Sequence, residues 1–92
     1  MPLMAKERQS SIHNDAYRGI IDILAEARVR AGITQSELAQ LMGMSQSDIS
    51  KIEGYERRLD VLEALDMIRV ICQGNEKQSI SLWKKLGDGF NG

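Results

Sequence analysis

Between Thr34 and Glu63 the chain carries three helix-start signals in succession, which restricts this stretch to short helices joined by tight turns. Thr34-x-x-Glu37 has the full capping-box form. Its hydroxyl can accept from a backbone N–H three residues on, and the carboxylate there can accept in return. Ser45-x-x-Asp48 and Asp60-x-x-Glu63 are approximate variants, each with a small oxygen-bearing side chain followed by an acid placed where unpartnered N–H groups favour negative charge. Helices are therefore predicted over Gln35 to Met42, Gln46 to Glu53 and Val61 to Gln73.

The flanks carry the same period. From Asn14 to Ala31, Tyr17, Ile20, Ile21, Leu24 and Ala27 recur at helical spacing, and Gly32 supplies a stop that needs no β-carbon. In the Val61 helix, Leu62, Leu65, Ile68 and Cys72 define one apolar face, and Val61, Met67, Val70 and Ile71 widen it, so burial on more than one side is expected. Gly74 and Asn75 break the pattern, and Ile80, Leu82, Trp83 and Leu86 predict a short fifth helix over Ser79 to Leu86, followed by a loose tail from Gly87 to Gly92. Pro2 is the sole proline and no strand-like alternation persists, so the fold class is all-α, a compact bundle of about five helices. With 92 residues, 42% hydrophobic and 27% charged, one core is expected. The organisation reads as a flexible arm over 1–13, a principal domain over 14–73, and a C-terminal helix and tail over 74–92.

Several functional classes are poorly supported by the residues present. Cys72 is the only cysteine, so no internal disulfide is available, and its place on an apolar face suits a buried, inert thiol. His13 has no companion ligand at metal-binding spacing, which favours a solvated surface role. No nucleophile–base–orienter set and no glycine-rich phosphate cradle can be assembled, so neither an enzyme nor a cofactor is expected. The sequence shows no export signal and no membrane-length apolar run, so a cytoplasmic location is expected. The net charge of −1 argues against nucleic acid if summed charge is the test. Phosphate contact depends instead on where the cations sit.

The residues from Gln35 to Ile52 meet the requirements of two helices crossing steeply through a tight turn. Such a pair needs a small residue at the crossing, a turn residue tolerant of positive φ, and apolar residues aimed inward. Ala39, Gly43, Ile49 and Ile52 occupy those places, and Leu38 and Met42 supply the inner face of the first helix. Gln46, Ser47, Ser50 and Lys51 remain on the outer face of the second.

Arg28, Ala31-Gly32-Ile33-Thr34-Gln35, Glu37-Leu38-Ala39, Gly43-Met44-Ser45-Gln46-Ser47, Ile49-Ser50, Ile52-Glu53 and Arg57-Arg58-Leu59, within Leu24 to Ile71, resemble the Cro/phage-repressor, or Xre-like, helix-turn-helix family. The resemblance implies a lambda-repressor-like DNA-binding domain whose Gln46–Glu53 helix enters the major groove. It makes Gln46 the leading base reader, through paired acceptor and donor groups for adenine, with Ser47, Ser50 and Lys51 beside it; Lys51 can reach guanine or a phosphate. Asp48 could accept from cytosine, although its capping position favours an intramolecular role. DNA-backbone contacts fall to Gln35, Ser45, Tyr55, Arg57 and Arg58. Glu53-Gly54-Tyr55-Glu56 departs from the basic or polar residue that many relatives place before the loop glycine. Arg28 and Glu53 are expected to form a structural salt bridge.

Plainer roles stand beside these. Arg57 and Arg58 could belong to a solvated loop, Gln46, Ser47 and Ser50 could be ordinary surface, and Trp83 with Ile80, Leu82 and Leu86 could be core. Limited interior volume favours dimerisation through the segment after Gly74, which would set two reading helices about 34 Å apart on a palindromic operator. The function expected is a DNA-binding transcriptional regulator, a homodimeric repressor of a short operator. The alternatives are an antitoxin that binds a toxin and autorepresses, and a protein-bridging module of the same fold.

Overall fold

The computed structural model describes residues 14–91; the arm expected over 1–13, His13 included, and Gly92 lie outside them. Five helices follow in order: α1 (Asp15–Arg30), α2 (Gln35–Met42), α3 (Gln46–Glu53), α4 (Val61–Ile71) and α5 (Glu76–Asn91). No strand occurs among the described residues. None of the helices is long and apolar enough to cross a membrane.

Side-chain caps set the helix starts. Asn14 Oδ1 accepts from the Tyr17 N–H at 3.1 Å. The Thr34 hydroxyl accepts from the Glu37 N–H at 3.0 Å while the Glu37 carboxylate accepts from the Thr34 N–H at 2.8 Å, closing the box. Ser45 makes only the forward bond, from the Asp48 N–H at 3.0 Å. Asp60 and Glu63 form a complete reciprocal box at 2.8 and 3.2 Å, more than their sequence pattern promises. Two stops require glycine: Gly32 and Gly43 have φ of 76° and 70°, where a β-carbon crowds the backbone. Beyond Gly43 the Met44 N–H returns to the Ala39 carbonyl at 2.8 Å, folding the α2–α3 turn tightly.

The core lies where α1, α3 and α4 converge with α2 and α5. Ile21 and Leu24 of α1 meet Leu38 and Ala39 of α2, Ile49 and Ile52 of α3, Met67, Ile68 and Ile71 of α4, and Leu82 and Leu86 of α5, all buried. α2 packs against α3 and α4, whereas α5 lies along α1. The connection from α3 to α4 is tied down by Tyr17, whose hydroxyl accepts from the buried Leu59 N–H at 2.8 Å.

Three features differ from the sequence expectation. α4 ends at Ile71, with Cys72 capping it in a buried position. Its core stripe is Ala64, Met67, Ile68 and Ile71, a one-sided 3.6-residue period, so the expected burial of a second side does not occur and Leu62 and Leu65 are 77% and 47% exposed. α5 is twice the length predicted. Asn75 starts it by accepting from the Gln78 N–H at 2.9 Å, and the expected loose tail is helical from Gly87 to Asn91.

One polar knot ties the paired helices to the rest. Arg28, in the last turn of α1, sends Nε and Nη2 to the two Glu53 carboxylate oxygens at 2.7 and 3.0 Å and Nη1 to the Ile33 carbonyl at 2.6 Å. Gln35 Nε2 donates to the same Glu53 at 2.9 Å. The expected Arg28–Glu53 bridge is thus present, with only 12% and 13% of the two side chains exposed. Arg28→Ala leaves Glu53 short of its cation and should cost roughly 2–4 kcal/mol in urea unfolding, since breaking a largely buried pair strands a charge. Replacing both partners with apolar residues should recover part of that loss.

Candidate nucleic-acid interface

α3 is only eight residues long, and its two sides are sharply different. Ile49 and Ile52 are sealed in the core, while Gln46, Ser47, Ser50 and Lys51 are all exposed. With the i, i+3 apolar pair turned inward, the helical period sets Gln46, Ser47, Ser50 and Lys51 on the other side, so four hydrogen-bonding side chains share one bare face. Ser45, also exposed, uses its oxygen for the Asp48 cap and keeps its O–H as a donor for an outside acceptor.

The sites expected to meet a nucleic-acid backbone are placed less uniformly. Gln35 is half-buried and one of its amide hydrogens is committed to Glu53, yet it is the first residue of α2, where the backbone N–H has no helical partner. Tyr55 adopts φ 63°, its hydroxyl donates to Asp22 of α1, and the Arg18 guanidinium lies 4.7 Å from its ring centroid. The Asp22 carboxylate, by accepting that proton, holds the phenol pKa above its ordinary value. Tyr55 is therefore braced against α1. Arg58 is exposed and makes no ion pair among the described residues.

Arg57 is engaged within the protein. Its Nη1 and Nη2 meet the two Glu63 oxygens at 3.0 and 2.9 Å, Nη1 also donates to the Arg58 carbonyl at 3.1 Å, and Nε faces the Asp48 carboxylate at 3.9 Å. Asp48 thus combines a place in the first turn of α3 with an ion pair inside the molecule, in keeping with its expected intramolecular role. Sequence reasoning missed Glu63 here, because its capping position already gave it a local task. It also missed Arg18 and Asp22, which no spacing rule connects to Tyr55 from so far along the chain.

A family model described as helix-turn-helix matches residues 24–71, from the second half of α1 to the end of α4. No curated protein matches the chain.

The Arg57 pair fixes the behaviour of this edge in acid. Hydrogen bonds from Arg57 push the Glu63 carboxyl below the usual range against a smaller opposing effect of burial, and the Asp60 N–H adds to the lowering. A carboxyl with a depressed folded-state pKa stabilises fully above its unfolded value, about 4.3, and loses that stabilisation as pH falls through the folded value. Urea unfolding followed from pH 7 downward should therefore show less acid-dependent loss for Glu63→Gln than for the unsubstituted protein; identical slopes would mean that the pair has no role in folding stability.

Proposed function

The chain belongs to the Cro/repressor, Xre-like helix-turn-helix family, and from that premise we propose that it is a homodimeric transcriptional repressor that lays α3 in the major groove of a short palindromic operator. The observation that carries this reading is the bare polar face of a helix whose other side is locked by Ile49 and Ile52. Gln46 leads, offering an acceptor and a donor to one base edge; Ser47, Ser50 and Lys51 extend the reading along the helix. Gln35 and Ser45 clamp phosphates through donors at or beside helix N-termini, Arg58 supplies a cationic contact after α3, Arg57 does so only by exchanging its intramolecular carboxylate for a phosphate, and Tyr55 borders the sugar-phosphate chain.

A second copy is the partner that the remaining surface favours. Leu62 on α4 and Ile80 and Trp83 on α5 are each more than half exposed, and Leu65, Ile68, Ile80 and Trp83 line a groove of about 280 Å³ between the two helices. With a net charge of −1 and few unpaired cations near α3, a single copy has limited electrostatic grip. Linking two reading heads raises affinity without new contacts on either. The same exposed surface would serve a toxin partner under the antitoxin alternative, and the low net charge suits a protein-bridging module.

Selection from random duplex DNA at fixed salt should return a site with two-fold symmetry. Against that site, Gln46→Ala should cost about 1–3 kcal/mol and relax one base position, while Arg58→Ala should weaken all sequences alike and lower the salt slope by about one. Equal losses on selected and random DNA for Gln46→Ala would contradict its reading role. Sedimentation should give a dimer for the unsubstituted protein and a monomer with unchanged helicity for Trp83→Lys; a monomer in both, with and without operator, removes the homodimer.

A further inference from the structure

Arg57 lies beside the reading helix, yet its guanidinium fork is occupied. Two of its nitrogens engage both oxygens of Glu63, a third faces Asp48 in the first turn of α3, and one also serves the Arg58 carbonyl. A phosphate group requires the same planar fork, so carboxylate and phosphate compete for one set of donors. Glu63 is not free to follow the arginine, because one of its oxygens also accepts from the Asp60 N–H at 3.2 Å and thereby completes the α4 cap. Arg57 is 35% exposed, so exchange of partners needs no opening of the core.

We propose that Glu63, backed by Asp48, is an electrostatic latch that competes with DNA phosphates for Arg57 and so holds down affinity for every sequence alike. The proposal rests on the DNA-reading function above and adds an affinity-setting pair to it. Phosphates carry no base information, so a cation withheld from them weakens operator and random duplex equally in free energy. Discrimination between operator and random duplex is left unchanged, while the absolute affinity for both is lowered. Once Arg57 leaves, Glu63 and Asp48 also face the DNA backbone with unpaired negative charge, which opposes the exchange further.

The test uses the full chain, with fluorescence anisotropy on a selected operator and on a random duplex across a salt series. Glu63→Gln keeps an oxygen for the Asp60 N–H, so the cap survives while the charge is lost. It should tighten binding to both duplexes by the same factor, roughly two- to fivefold, and steepen the log–log salt dependence by about 0.9, the signature of one added phosphate contact. Glu56→Gln, an exposed acid in the same loop, measures the effect of removing a negative charge alone. In an Arg57→Gln background the gain from Glu63→Gln should shrink to that of the Glu56 control. A gain of equal size in both backgrounds, or one no larger than the control, overturns the latch while leaving DNA reading intact. Failure of the unsubstituted chain to bind any duplex removes the DNA-reading premise, and the latch with it.

Discussion

The Glu53 carboxylate is the point at which α3 is fixed to the remainder of the protein. An eight-residue helix makes about two turns and is not stable alone in water, so its existence and its tilt are both imposed from outside. Ile49 and Ile52 supply the burial, but apolar contacts are non-directional and do not set the rotation of a short cylinder. Glu53 does so by joining the last residue of α3 to the last turn of α1 through Arg28 and to the first residue of α2 through Gln35. A carboxylate at a helix C-terminus is disfavoured by the helix dipole, and the bidentate guanidinium offsets that disadvantage. The same arginine holds the Ile33 carbonyl in the α1–α2 turn, so three segments share one charge-assisted network.

That network accounts for the contrast between rigidity behind α3 and freedom in front of it. Every polar side chain that braces the fold (Arg28, Glu53, Tyr17, Arg57, Glu63) has a partner within the molecule, whereas Gln46, Ser47, Ser50 and Lys51 face solvent. Exposed polar groups on a rigid support are ready to exchange water for a ligand at little conformational cost. The arrangement also explains how a chain with net charge −1 belongs to a DNA-binding family. Its acids are largely spent in caps and ion pairs: Glu37 and Glu63 close helix starts, Glu53 holds Arg28, and Asp22 accepts a hydrogen bond from the Tyr55 hydroxyl. Summed charge is a poor guide when the anions have structural employment.

The local chemistry of helix starts and stops was legible in the residues. Thr34, Ser45 and Asp60 cap where their patterns place them, and Gly32 and Gly43 take the left-handed conformation that ends α1 and α2. The Arg28–Glu53 pair was legible from the family resemblance. Asn75 was not, because beside Gly74 it reads as a breaker; only the structure shows its side chain accepting from Gln78 and starting α5. The burial of α4 was obscured for a different reason. So many of its residues are apolar that two registers fit a helical stripe, and packing against α1, α2 and α5 selects Met67, Ile68 and Ile71 over Leu62 and Leu65. Arg57 joins Glu63 across a loop, where no period constrains which side chains meet.

The division of labour within α5 follows from the same register. Leu82 and Leu86, four residues apart, are buried and close the core, while Ile80 and Trp83 lie on an adjoining face beside α4 and are more than half exposed. The two faces are chemically alike but differ in burial: the inner pair belongs to the core, and the outer pair is exposed to solvent. A polar substitution at Trp83 changes an exposed surface, whereas one at Leu82 or Leu86 places a polar group in the buried core and threatens the fold. The helix that completes the domain can thus alter its outward surface without disturbing the Arg28–Glu53 knot, and the orientation of α3 is insulated from changes in whatever the outer face of α5 meets.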